Sequence, residues 1–173
     1  MIDDLVTGLR ANACSVTGPI TVDEARAAIV ARAGAHELVA CNADVPVPGI
    51  IEALGAAGVE LLLPGDPAWS ARLPGAAVGI TGSLVASARP AAIALVAAQG
   101  SPRGTSLVPA SHICVVRVAD IRATLAAAMI EIAAGELPSA LTWIGGPSRT
   151  GDLEMVTTLG VHGPRAVEVM LLE

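Results

Sequence analysis

The chain has 173 residues, ten arginines and no lysine, sixteen carboxylates, and a formal net charge of -6. It contains no phenylalanine and no tyrosine, so its core must come from 34 alanines and from Val, Leu and Ile, with Trp69 and Trp143 as the large aromatic fillers. Without lysine there is no Schiff base, no aldimine with pyridoxal phosphate and no Walker-type phosphate loop, and an acidic, aromatic-poor chain excludes nucleic acid as a partner.

The length predicts a single domain over 1–173. Ile2, Leu5, Val6 and Leu9 recur at helical spacing, which predicts an amphipathic helix over 2–12. A loop with Gly18 and Pro19 follows. Thr21-Val22-Asp23-Glu24 reads as a capping box opening a helix to about Arg32, so that residues 1–35 are mainly two helices. Residues 37–41 read as a short buried strand, and Pro46 and Pro48 open a helix through Ala57 that stops at Gly58. Val59 to Leu63 is the next strand, followed by a Pro/Gly-punctuated connection over 64–75. Strands are expected at 76–81 and 91–97, with a turn or short helix over 82–89 between them and a turn at 99–102 after them. HICVVRV, residues 112–118, is the strongest strand signal, and Asp120 is expected to cap a long helix to about Ala134. A strand at 141–144, a glycine/serine/proline loop at 145–152 and a final strand at 166–172 complete the chain.

Strands that are continuous apolar runs, alternating with helices, predict an α/β fold: a mainly parallel sheet flanked by helices on both faces. Ligands of such sheets lie outside the carboxyl ends of the strands, which draws attention to loops 82–90, 98–111 and 145–152. The longest uncharged stretch, Leu73 to Ala88, is 16 residues broken by Pro74, Gly75, Gly79 and Gly82, too short to span hydrocarbon. Met1-Ile2-Asp3-Asp4 reverses the basic start of a signal peptide. Cys14, Cys41 and Cys114 are widely spaced without C-x-x-C, so neither an iron–sulfur cluster nor a structural zinc is expected in this chain, and the expected compartment is the cytoplasm. His36 and His162 have no neighbour at metal-ligand spacing, and no metal site is expected.

Polar chemistry gathers in the segment GGPSRTGDLEMVTTLGVHGPR, residues 145–165. Its glycines allow backbone amides to converge, Ser148 and Thr150 add hydroxyls, and Arg149 offers a planar charged fork to a carboxylate or phosphate. Asp152 stands where a helix cap would, and His162 and Arg165 follow. The segment reads as an anion-binding loop or, structurally, as a βα turn with a salt-bridged arginine. A second group, Arg103, Ser106 and His112, heads the strong strand; His112 reads as a base or as a satisfied core histidine. Gly79-Ile80-Thr81-Gly82-Ser83 runs from a strand into a glycine-bounded turn, and Gly82 is a weak candidate for a ligand amide.

GPSRTGDLE followed by LGVHGPR and an apolar strand is similar to the C-terminal signature of LUD-domain proteins of the lactate utilization protein C type. The run RGTSLVPASHICVV and the element VGITG resemble the family's central motifs, so the likeness covers roughly 76–172. The resemblance implies a NagB/RpiA/CoA-transferase-like fold. It implies a place in a three-component bacterial system that oxidises L-lactate to pyruvate, with iron–sulfur clusters in partner subunits and none intrinsic here. Arg103, Ser106, His112, Ser148, Arg149, Thr150, Asp152, His162 and Arg165 match the family's pattern. His112, His162 and Asp152 are then the candidates for proton handling. Arg103, Ser106, Ser148, Arg149, Thr150, Arg165 and Gly82 are the candidates for holding a small anionic substrate. One departure stands out: Arg89-Pro90-Ala91 occupies the place of a glutamate-threonine-glycine stretch, and in related transferases a glutamate in a comparable loop is the nucleophile. Three functions follow: a lactate-utilization component, a non-catalytic binding or scaffold paralogue, or a stand-alone CoA or phosphosugar transferase or isomerase.

Overall fold

The computed structural model describes residues 1–34, 38–135, 138–151, 157–160 and 162–173. Six parallel strands form the main sheet in the order β1 (Ser15–Ile20), β12 (Ala166–Leu172), β7 (Ser111–Arg117), β4 (Val78–Thr81), β2 (Leu38–Cys41) and β3 (Glu60–Leu62). Its central strands are buried on both faces, which is why they read as unbroken apolar runs.

Side chains alternate across this sheet. One face carries Val39, Cys41, Val78, Ile80, Ile113, Val115 and Met170, and packs on α2 (Val22–Ala33) and α3 (Ile50–Ala56) through Ala25, Ile29 and Leu54. The capping box predicted for α2 is present: Thr21 accepts from the Glu24 N–H and Glu24 accepts from the Thr21 N–H. The α3 helix starts at Ile50, four residues past Pro46, because Gly49 takes a left-handed conformation (φ +74°) that a helix interior does not allow.

The opposite face is covered partly by helix and partly by sheet. Leu5 and Leu9 of α1 (Ile2–Ala11) pack with Cys114, Val116, Val169 and Leu171 and with Ala86 and Ile93 of a second sheet. At the other side, Leu38, Ala40 and Leu62 meet Trp69 of the short helix α4 (Trp69–Arg72). The second sheet is mixed, ordered β8 (Ile121–Thr124), β5 (Val85–Arg89), β6 (Ala92–Ala97) and β9 (Ala140–Ile144), with α6 (Leu125–Ala134) on its outer side through Ala128 and Ile132.

Three expectations are corrected. Residues 15–20 are an edge strand and no loop, paired parallel to β12 from Ser15 opposite Glu168 to Ile20 opposite Leu172. Residues 85–89 are β5, where a turn or short helix was expected, because β6 and β8 supply partners on its two sides. The helix expected from Asp120 begins only at Leu125: Ile121–Thr124 are drawn into parallel pairing with β5, and the cap is Thr124, whose Oγ1 accepts from the Ala127 N–H at 3.2 Å. The 145–152 loop is also more ordered than expected in part, since β10 (Arg149–Gly151) pairs antiparallel with β11 (Thr157–Leu159). No described helix is long and apolar enough to cross a membrane.

Candidate functional site

In the main sheet the chain runs outward from β2 to β3, then crosses over β2 to β4 and proceeds the other way to β7 and β12. The switch point therefore lies at the carboxyl ends of β2 and β4, where an α/β sheet ordinarily opens its crevice. Here the chain fills that crevice itself. The Asn42 N–H donates to the Ile80 carbonyl at 2.9 Å, and Asn42 Oδ1 accepts from Thr105 Oγ1 at 2.5 Å. The Gly82 N–H donates to Asp44 Oδ1 at 3.2 Å, and a Cβ on Gly82 would lie 2.1 Å from the Asp44 carbonyl oxygen. The remaining void is about 10 Å³, room for roughly one water. The amide and the Cα of Gly82 are thus both engaged within the fold, and VGITG is a packing motif at both of its glycines: a Cβ on Gly79 would come 1.8 Å from the Thr105 carbonyl oxygen of α5 (Gly104–Leu107).

A cavity of about 230 Å³, larger than this void, lies between the two sheets, lined by α5, the amino end of β7, β9 and the loops around 145–148 and 162–164. Ser106, His112, Ser148 and His162, four of the residues singled out from the sequence, meet here with Trp143, Ile144 and Val167. Ser106 is buried at the end of a single helical turn, its Oγ donating to the Arg103 carbonyl at 3.0 Å. The Ser148 N–H donates to the Pro164 carbonyl (3.0 Å), the Gly160 N–H to the Ser148 carbonyl (2.9 Å), and the Arg165 N–H to the Ala110 carbonyl (2.8 Å). These bonds stitch the loops of Ser148 and His162 to each other and to the connection leading into β7. His162 is exposed and Ser148 half-buried.

His112 is 1% exposed. Gly79 stands opposite His112 and Thr81 opposite Cys114, so Thr81 and His112 share one face of the β4–β7 ladder, diagonal to each other. Thr81 Oγ1 and His112 Nε2 lie 2.9 Å apart, and among the described residues Nδ1 has no hydrogen-bond partner. Burial lowers the His112 pKa to about 4, so the ring is neutral near pH 7. Cys114 below it is pushed up to about 12 by burial, as is Cys41, and Cys14 is raised by burial; all three are buried, protonated packing groups.

The arginines do not converge. Arg103 is exposed beside the small void at the switch point. Arg149 is exposed at the start of β10 and lines a separate, open depression of about 330 Å³ that shares Gly145 and Gly146 with the cavity. Arg165 is exposed with its stem against Gly160, where a Cβ would meet Arg165 Cγ at 2.0 Å. Among the described residues, none that line the 230 Å³ cavity is an arginine or a carboxylate. The Thr150 backbone pairs with Thr158 in the β10–β11 ladder, and Asp152 and His36 lie outside the described residues. Arg89, at the position of the implied acid, forms an ion pair with Asp4 of α1 at 2.8 Å. Trp143, expected as a large core filler, borders the cavity from β9 but packs with Ala128 and Ile132 of α6, whereas Ile144 beside it packs with Cys114 and Val116 of β7; no local signal in the sequence pairs Thr81 with His112.

Residues 67–172 match the family model of the LUD domain. A protein named Lactate utilization protein C from Deinococcus radiodurans is 34% identical over 156 residues, covering 88% of this chain and 71% of that protein. Proteins of the same name from Shouchella clausii and Bacillus subtilis are 39% and 38% identical over 91 and 92 residues, which is half of this chain and 40% and 38% of theirs. The crystal structure of a DUF162 family protein from Deinococcus radiodurans superposes with a TM-score of 0.77 at 26% identity, covering 99% of this chain and 96% of that one. A family model matched from α4 through the last strand, a relative aligned along most of the chain and a shared fold together place it: the chain belongs to the LUD domain family.

Proposed function

We propose that this chain is the small, cluster-free component of a bacterial lactate utilization system, in which L-lactate loses two electrons and two protons to become pyruvate and the electrons pass to iron–sulfur partner subunits. The observation that carries this reading is the likeness along 88% of the chain to a protein named for lactate utilization. The cavity supports it. At about 230 Å³ it is smaller than the roughly 300–1,000 Å³ pockets that hold drug-sized ligands, which suits an acid of few heavy atoms. Ser106, Ser148, His112 and His162 offer that acid hydroxyl and imidazole groups. Arg149, across Gly145 and Gly146 from the cavity, is a candidate for drawing in an anion at the surface. The test is genetic and biochemical. Deleting the gene should abolish growth on L-lactate as sole carbon source, the intact chain should restore it, and native purification of the tagged chain should recover iron–sulfur proteins. Undiminished growth of the deletion strain on L-lactate would sink the reading.

A second reading, a binding or scaffold subunit without catalysis, is favoured by Arg89. Where the family pattern implies an acid, this chain has a cation already paired with Asp4.

A further inference from the structure

We propose that the cavity between the two sheets recognises the 2-oxygen of a short 2-hydroxy or 2-oxo acid through His112 acting as an uncharged hydrogen-bonding group, so that His112 decides specificity and does not carry the proton of the reaction. The inference rests on the lactate reading above and adds to it the atom that is recognised and the residue that recognises it.

Three observations converge on His112. It lines the cavity, it is 1% exposed, and one of its ring nitrogens is unpartnered among the described residues. A buried polar nitrogen left without a partner is costly, and a ligand oxygen brought from the cavity against Nδ1, which is sealed from water in this state, would remove that cost. The other nitrogen is held by Thr81 Oγ1 at 2.9 Å, itself buried. A threonine hydroxyl both donates and accepts, and it rotates to suit its partner. When Thr81 accepts from Nε2–H, Nδ1 presents a lone pair and receives the hydroxyl proton of a 2-hydroxy acid in a hydrogen bond. When Thr81 donates to Nε2, Nδ1 carries the hydrogen and donates it to the oxygen of a 2-oxo acid. One geometry thus serves both members of a hydroxy/oxo pair by a tautomer change and a hydroxyl rotation, with the ring itself uncharged in both states.

The rest of the lining agrees. No arginine or carboxylate is among its described residues, so recognition inside the cavity depends on neutral hydrogen bonds from the ring and the Ser106 and Ser148 hydroxyls, against apolar walls at Ile144 and Val167. Of the two imidazoles that line it, that of His162 is exposed and that of His112 is buried.

The experiment uses the full chain labelled with nitrogen-15, titrated in separate series with L-lactate, pyruvate and propionate while the imidazole nitrogens are followed by NMR. A neutral hydrogen bond of ordinary strength corresponds to roughly tenfold in affinity, so propionate, which lacks the 2-oxygen, should bind at least about tenfold more weakly than lactate. The Nδ1 resonance of His112 should move in opposite directions with lactate and pyruvate, reporting acceptor and donor tautomers. In His112→Leu the lactate-to-propionate preference should fall to about one while propionate affinity is kept; His112→Asn, which retains a donor and an acceptor, should keep part of the preference. If neither variant folds, the titration of the unaltered chain decides by itself. Equal binding of lactate and propionate, lactate binding with His112 unmoved, or no binding of either acid overturns the proposal. The growth test above stands apart from these outcomes, so a lactate role carried out at another site would be recognised as such.

Discussion

His112 sits 1% exposed on β7 with Nε2 against Thr81, and burial holds its pKa at about 4, below the ordinary value near 6.5. The folded protein therefore keeps this ring neutral where the unfolded chain takes up a proton. Between pH 6.5 and about 4 the unfolded state binds more protons, so stability falls as pH falls through that window and is unaffected by this group above it. The full effect is on the order of 3 kcal/mol. Urea unfolding followed from pH 7 to pH 4 should show this loss in the unaltered chain and a flatter profile in His112→Asn. An equal slope in both would mean that the acid sensitivity comes from other groups. A ring so held is a poor proton acceptor near neutrality, which favours the proposed recognition role over base chemistry.

At the scale of elements, local signals succeed where they meet no competition. The capping box at Thr21, the helix at 2–11 and the strands at 38–41, 60–62, 111–117 and 166–172 form close to where periodicity and punctuation place them. They fail where a distant strand offers pairing. Ile121–Thr124 could continue a helix from Asp120, but Ala86, Ser87 and Arg89 of β5 take them into a ladder instead, and the cap moves to Thr124. The two candidates for the cap are separable by mutation. Thr124→Ala should cost about 1 kcal/mol, the usual loss for an N-cap hydroxyl. Asp120→Ala should change stability by less than about 0.5 kcal/mol, because among the described residues Asp120 makes a single long ion pair, 3.9 Å, with exposed Arg117. Chemical denaturation of both variants checks the assignment; a larger loss in Asp120→Ala would reverse it.

For the molecule as a whole, the close approach of α5 to the main sheet is what closes the switch-point crevice and places Ser106 on the larger cavity. That approach depends on Gly79, since any Cβ there would fall 1.8 Å from the Thr105 carbonyl oxygen. Gly79→Ala should destabilise by about 1–3 kcal/mol or more, as overpacking of a rigid contact does. Gly55→Ala, inside α3 with nothing within 4 Å of the added methyl, should stabilise by up to about 1 kcal/mol. Melting temperatures moving down and up respectively would confirm the contrast, and a neutral Gly79→Ala would show that the layer can give way.

The sequence by itself determined the α/β class, most element positions, the family resemblance and four of the residues around the cavity. Each of these depends on signals within about ten residues: apolar runs, caps, turn glycines and a dense C-terminal motif. The tertiary structure alone decided that Ser106, His112, Ser148 and His162 meet, that Ile144 and Val167 wall them, and that Arg103, Arg149 and Arg165 face three different places. The reason is that the cavity is assembled from five segments spanning residues 106 to 167 and held by contacts distant in the chain, such as Thr81 to His112 and Ala110 to Arg165. A missing lysine pointed to arginines as the only fixed cations. Among the described residues none of the three lines the cavity; each is exposed, where its guanidinium keeps its hydration.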